Sequence, residues 1–259
     1  MTAKAPTEIT KSVLDPGCPW KLPRLKWEFT KYPYRKTLTE WRALLARAEQ
    51  GDADAECNVA ALYDYGCKTR SGKLLVRRSA RKALEWYRRS AAHGDTYAQN
   101  NLGVILSSAK ANKEDRREAL MWLKKAARTG NGCATNNTAI VYREDGDLRR
   151  AVYWFKKLAA LGDDDALIQL GIHYYWGCGI RADHSASVRY LRKATKGKNL
   201  SDADRDDAFF YLGIAYLEGN GVRFSLRMAR KLLQRANIDN DHPAAHRLLN
   251  QMAKSSTKR

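Results

Sequence analysis

Residues 162–194 read GDDDALIQLGIHYYWGCGIRADHSASVRYLRKA, and the order of their small, apolar and aromatic positions decides the fold. Ala166, Leu170 and Tyr174 stand four apart, which places them on one stripe of a helix. Gly171, next to Leu170, leaves room for a second helix to approach closely. Gly177-x-Gly179 supplies the positive φ angles that end the first helix and reverse the chain. Ser187, Tyr190, Leu191 and Ala194 then recur at spacings of three, four and seven, the signature of a second amphipathic helix.

The same wording recurs along the chain. Gly51-Asp52-x-x-Ala55, Gly94-Asp95-x-x-Ala98, Gly130-Asn131-x-x-Ala134 and Gly162-Asp163-x-x-Ala166 superpose, with a weaker copy at Asp206-Asp207-Ala208 and a sixth start at Asn240-Asp241-x-x-Ala244. Successive alanines lie 43, 36, 32, 42 and 36 residues apart, the range of helix-pair solenoids and far from barrels or doubly wound sheets. Tyr63, Tyr142, Tyr174 and Tyr216 hold the eighth place after the alanine in four units, and Leu106 holds it in the remaining one. The second helices share the register of Ala83-x-x-Trp86-Tyr87, Ala119-x-x-Trp122-Leu123, Ala151-x-x-Trp154-Phe155 and Ala229-x-x-Leu232-Leu233. No strands are expected.

This series of alanine, Leu-Gly, Tyr, Gly-x-Gly, Ala-x-x-Trp-Tyr and Gly-Asp resembles the Sel-one-like repeat (SLR) family, relatives of tetratricopeptide repeats, over roughly residues 41–252. Leu106-Ser107-Ser108 and Thr138-Ala139 depart from the pattern and are places for a local change of curvature. The resemblance implies an all-α, right-handed superhelical solenoid of about five helix-pair repeats, with a half repeat at the start and a capping helix at the end. First helices would line a concave groove and second helices the outer face. It implies binding rather than catalysis, in adaptors, assembly factors, regulators or bacterial effector-neutralising proteins.

The expected organisation is a basic, aromatic, Pro-containing arm over residues 1–36 and a solenoid over 37–254, followed by a frayed tail at 255–259. The repeats fall near 53–93, 96–129, 132–161, 164–196 and 203–237, and a terminal helix over 243–254. Trp41-x-x-Leu44-Leu45-x-x-Ala48 reads as a lone second helix, capped by Thr37 or Thr39. No apolar run is long enough for a membrane span, and Met1-Thr2-Ala3-Lys4-Ala5-Pro6 is no secretory segment, so a cytoplasmic location is expected. The five cysteines do not recur as a pair in each repeat, as the family's secreted members have them, which agrees with a reducing compartment. No metal site or other cofactor is expected, since paired Cys-x-x-Cys motifs are missing and His242 with His246 makes a weak ligand set.

The net charge of +19 points to an acidic protein or peptide as partner, with nucleic acid as the alternative. Part of the charge is a ladder on the second helices, Arg88-Arg89, Lys124-Lys125, Lys156-Lys157 and Arg192-Lys193, read as a solvated outer face. More unusual is an insertion inside the first full repeat, where Arg70, Lys73, Arg77, Arg78 and Arg81 are expected to form a contact surface. The arm interleaves Trp20, Trp27, Tyr32 and Tyr34 with basic residues, a pattern that suits a packed cap or stacking on nucleic-acid bases. Three places after each anchoring alanine stand Asn58, Asn101, Asn137, Gln169 and Tyr211, an amide ladder able to clamp an extended peptide or to bond neighbouring backbone. Phe209-Phe210-Tyr211 cannot all face one stripe, so at least one is expected to be exposed near the groove. Ser107-x-x-Lys110 matches a nucleophile motif whose partner motifs are missing, and no catalytic residue is assigned.

Overall fold

Each Gly-Asp-x-x-Ala motif folds as a joint between two helices. In the computed structural model, which describes residues 36–108, 111–198, 200–238 and 242–256, the glycine leaves the preceding helix at positive φ, +101° at Gly94. The following carboxylate or amide oxygen then accepts the backbone N–H three residues on. Asp52 to Ala55, Asp95 to Ala98, Asn131 to Ala134 and Asp163 to Ala166 all do so, at 2.6–3.0 Å. One of the four orphan donors of each new helix is thereby satisfied.

The described residues form twelve helices and one small hairpin: α1 (Leu38–Glu49), α2 (Ala53–Tyr65), β1 (Cys67–Lys68), β2 (Leu74–Val76), α3 (Ala80–Ala92), α4 (Thr96–Leu106), α5 (Lys113–Ala127), α6 (Gly132–Glu144), α7 (Leu148–Ala160), α8 (Asp164–Trp176), α9 (His184–Ala194), α10 (Asp202–Glu218), α11 (Leu226–Arg235) and α12 (Pro243–Ser256). Thr37 starts α1 with a capping box completed by Glu40. The hairpin is antiparallel, pairing Cys67 with Val76 and Lys68 with Leu74. It corrects the expectation of a chain without strands: Leu74-Leu75-Val76, read as part of a loop, is apolar enough to pair and to tuck Val76 into the core.

Contacts divide the described chain at Asp145. One unit holds α1 to α6 with the hairpin, the other α7 to α12. In the first unit, Leu44, Ala55, Val59, Leu62, Cys67 and Val76 form a core under α1, α2 and the hairpin. Cys57, Ala60, Tyr87, Leu102 and Leu106 form another among α2, α3 and α4. In the second unit one cluster runs from Leu167 to Met252.

The Leu-Gly pairs work as anticipated. A Cβ built on Gly103, Gly171 or Gly213 would lie 2.4, 2.6 and 2.9 Å from Cγ of Leu123, Leu191 and Leu233, so in each pair the leucine of the second helix occupies the space a side chain would need. Each leucine is fully buried, which is worth roughly 1.5–3 kcal/mol.

Two helix starts differ from the expected register. α10 begins at Asp202 under a Ser201 cap, so Asp206 and Asp207 lie inside the helix rather than before it. Ahead of α12, His242 is the capping residue: its Nδ1 accepts the Ala245 N–H at 3.1 Å, which leaves Nε2–H to donate to Asp207 Oδ1 at 3.1 Å. His246 is exposed and His242 buried, so the two do not converge on a metal. Among the described residues no group of three or more His, Cys, Asp or Glu side chains is placed to hold a metal ion, and no helix is long and apolar enough to cross a membrane.

Candidate partner-binding cleft

Tyr63 ends the buried stripe of α2, half-buried, and the chain leaves it through Gly66 into the hairpin. The hairpin returns along Leu75 and Val76 to Ser79, whose N–H donates to Tyr63 O at 2.7 Å and whose side chain caps α3. Between these points lies a cleft of about 420 Å3 lined by Trp41, Tyr63, Leu75, Val76, Arg77, Arg78, Ser79 and Lys82. Trp41 meets Tyr63 edge to face, 5.9 Å between ring centroids, and Lys82 Nζ sits 5.1 Å from the centre of the Tyr63 ring. Arg77, Arg78 and Lys82 are exposed. Burial raises the Asp64 carboxyl above the usual carboxylate range, against the pull of the Arg78 guanidinium. An apolar, aromatic floor thus meets a cationic rim, an arrangement that takes an anionic group attached to an apolar one.

The basic residues expected in the insertion divide in three. Arg77 and Arg78 border the cleft; Arg70 and Lys73 are exposed on the hairpin turn; Arg81 stands in the first turn of α3, 3.4 Å from Glu85. Trp41 and Tyr63 escaped the sequence reading as ligand contacts because each also fits a core stripe, and Leu75 because it was read as part of a loop. Trp20, Trp27, Tyr32 and Tyr34 lie outside the described residues.

The amide ladder is not an open strip. Asn58, Asn101 and Asn137 are buried, and Gln169 is half-buried. Asn58 Nδ2 donates to Asp54 O at 2.7 Å, Asn137 Nδ2 to Asn100 Oδ1 at 2.8 Å, and Asn100 Nδ2 to Asn101 Oδ1 at 3.2 Å. Asn58 thus bonds the backbone of its own helix, while Asn100, Asn101 and Asn137 bond one another from α4 to α6. Phe209, Phe210 and Tyr211 are likewise all buried, against the expectation that one would be exposed. The reason is that α10 has neighbours all round: α8, α9 and α11 pack on it, Arg235 covers the Phe209 ring at 4.3 Å, and His242 lies against Phe210 with centroids 4.6 Å apart.

The charge ladder is only partly solvated. The first member of a pair reaches the next repeat's tyrosine: Lys124 Nζ lies 3.3 Å from Tyr142 Oη, Lys156 Nζ 5.6 Å from the Tyr174 ring centre, and Arg192 donates to Tyr216 Oη at 2.7 Å. The second member folds back on its own helix's tryptophan, Arg89 on Trp86, Lys125 on Trp122 and Lys157 on Trp154, at 4.3–5.2 Å. Arg88, which faces the repeat with Leu106 in place of tyrosine, pairs instead with Glu118 at 3.0 Å. Glu56, fully buried, is held by Arg89 at 3.1 Å and His93 at 2.7 Å; its place inside an apolar helix gave no sequence signal of that role.

The Sel1 repeat model matches residues 53–95, 96–131, 142–163, 164–199 and 207–241. Among solved structures the chain is similar to c5321, a protective antigen present in uropathogenic Escherichia coli strains displaying an SLR fold, with 26% identity and a TM-score of 0.65, over 85% of this chain and 45% of that one. The chain therefore spans less than half of that protein. A Sel1 repeat protein from Oxalobacter formigenes shares 22% identity at a TM-score of 0.63, over 82% and 80% of the two chains, a likeness of fold alone. Immunity protein Pa5087 from Pseudomonas aeruginosa, 16% identical over 85% of this chain and 80% of its own, reaches a TM-score of 0.41. Curated proteins yield no match. With five matched repeats and a fold built from their shared motifs, the chain belongs to the Sel1 repeat family, whose repeats mediate protein–protein interaction on a generally non-catalytic scaffold.

Proposed function

We propose that this protein is a non-enzymatic scaffold that engages an acidic protein or peptide, and that the cleft beside the hairpin is where it does so. The observation that carries this reading is the meeting of Arg77, Arg78 and Lys82 with Trp41, Tyr63 and Leu75 around one open cleft. Arginine and aromatic side chains are the residues that most often anchor protein interfaces, and the +19 charge steers acidic partners toward the surface. In its sharper form the protein is a cytoplasmic immunity or inhibitor protein that occludes an acidic toxin.

The test is a titration of the full chain with labelled acidic peptides and with duplex DNA at two salt concentrations. The scaffold reading expects acidic peptides of alternating Glu and Leu to bind, and the double variant Arg77→Glu, Arg78→Glu to lose at least about tenfold in affinity, since charge-assisted contacts run to roughly 1.5–3 kcal/mol each. DNA binding with a log–log salt slope near about −5, the mark of some six neutralised phosphates, in the absence of peptide binding, would replace it with the nucleic-acid reading.

A further inference from the structure

Five consecutive residues, Leu75 to Ser79, line one wall of the cleft. A wall of consecutive residues follows the run of the chain, as a strand edge does. β1 is already covered on its outer side, where Lys36 N–H donates to Lys68 O at 3.2 Å. Among the described residues β2 pairs with β1 alone, and beyond Val76 the chain continues without a described ladder partner to Ser79, whose backbone is extended at φ −154° and ψ 101°. Ser79 N–H is taken by Tyr63 O, whereas among the described residues no hydrogen bond engages the N–H of Arg77 or Arg78. Successive N–H groups of an extended chain point to opposite edges; Arg78 N lies on the Gly66 side, 3.6 Å from where a Cβ of that glycine would stand, which leaves the Arg77 N–H for the open edge. An edge strand with open donors and acceptors is a template for another strand.

We infer that the partner binds by strand addition: an extended acidic segment pairs its backbone with residues 75–78. Side chains of a strand alternate between faces, so every second residue of the ligand would enter the cleft toward Trp41 and Tyr63, and the intervening ones would meet the one of the two adjacent arginines, Arg77 or Arg78, that stands on the opposite face. The ligand is therefore an alternating apolar and acidic segment of an unfolded or edge-strand region, not an acidic helix. Backbone pairing supplies affinity and the alternation supplies specificity. This mode places recognition on an inserted hairpin rather than on the repeat helices. It rests on the acidic-ligand reading above.

The experiment alters the ligand and leaves the protein intact. A fluorescein-labelled decapeptide alternating Glu and Leu is titrated into the full chain, alongside the same peptide N-methylated at odd positions, at even positions, and a block peptide of the same composition with its five Glu together. Strand addition expects one N-methylated parity to lose about tenfold or more, the sum of two lost hydrogen bonds, and the other to stay within about threefold, with the block peptide weaker than the alternating one. Equal affinity of both methylated peptides and the parent would overturn strand addition. If they bind equally yet lose affinity to the Arg77→Glu, Arg78→Glu variant, the acidic cleft survives and only its strand mode falls. If the parent peptide does not bind at all, both fall.

Discussion

The first full repeat and the two built on Gly-x-Gly differ in how they span the same gap. In α8–α9 and α10–α11 the N-capping residue of the second helix donates its N–H to the tyrosine carbonyl nine residues earlier, Asp183 to Tyr174 and Ser225 to Tyr216. In α2–α3 Ser79 makes the same bond to Tyr63, sixteen residues earlier. The anchors are unchanged and seven extra residues are spliced between them, folded as a hairpin rather than left as slack. The regular repeats spend their turn on holding two helices together; the first repeat holds them by the same bond and has chain left over to build a surface. A repeat protein can thus add an exposed element while keeping the same closing contact, provided the insertion returns to the hydrogen bond that closes the helix pair.

The largest effect on this comparison is expected at the helix interlock. Gly171→Val should cost about 3 kcal/mol or somewhat more, because its Cβ alone would fall 2.6 Å from Leu191 Cγ; Ala60→Gly, at the corresponding place in the first repeat, should cost only about 1 kcal/mol. Urea unfolding of both variants measures the difference, and equal losses would break the claim that the glycine interlock is what the regular repeats depend on. Next comes the hairpin. Replacing residues 67–78 by a short Gly-x-Gly turn should lose about 2 kcal/mol, the burial of Val76 and Cys67, and abolish acidic-peptide binding while far-UV circular dichroism retains its helical signal. Smaller in stability is the charge reversal Arg77→Glu, Arg78→Glu, which should leave unfolding within about 0.5 kcal/mol. The matched control Arg223→Glu, Arg227→Glu, with the same change in net charge, should leave peptide affinity within about threefold; an equal loss there would make the binding a property of overall charge.

The smallest effect separates two copies of one joint. The Ala55 N–H and the Arg47 side chain lower the Asp52 carboxyl below its usual range, whereas burial raises that of Asp95. Asp52 therefore contributes stability that is present above its unfolded pKa of about 4 and is lost as pH falls through the lower folded value. Asp95 acts in the opposite sense: stability is complete below about pH 4 and declines as pH rises through the raised folded value. At neutral pH, Asp52→Asn should lose up to about 0.5–1 kcal/mol, the worth of an exposed pair with Arg47, and Asp95→Asn should lose nothing or gain. Thermal melts between pH 3 and 7 decide it.

Much of the fold was legible because the repeat repeats. Gly-Asp-x-x-Ala is a turn and a cap written in five letters, and Leu-Gly is a close approach; each has one physical meaning wherever it stands. The hairpin was less legible, since nine residues with basic side chains at Arg70, Lys73, Arg77 and Arg78 look like an exposed loop until Leu74-Leu75-Val76 is seen to pair. The amides were ambiguous for a related reason. Asn100, Asn101 and Asn137 carry the polar groups a peptide clamp needs, but periodicity cannot tell an amide that faces a groove from one that bonds another amide across two helices. Phe209, Phe210 and Tyr211 were misjudged because a stripe argument assumes one open side, and α10 has none. Trp41 and Tyr63 are core residues and cleft residues at once, a double role visible only when α1 and α2 stand side by side.

Backbone amide exchange, followed with and without the alternating Glu and Leu peptide at saturation, tests the central claim most directly. The account predicts new protection concentrated at residues 75–78, with α4 and α6 unchanged. Protection concentrated instead along the first helices, around Asn101 and Asn137, with residues 75–78 exchanging as before, would contradict it.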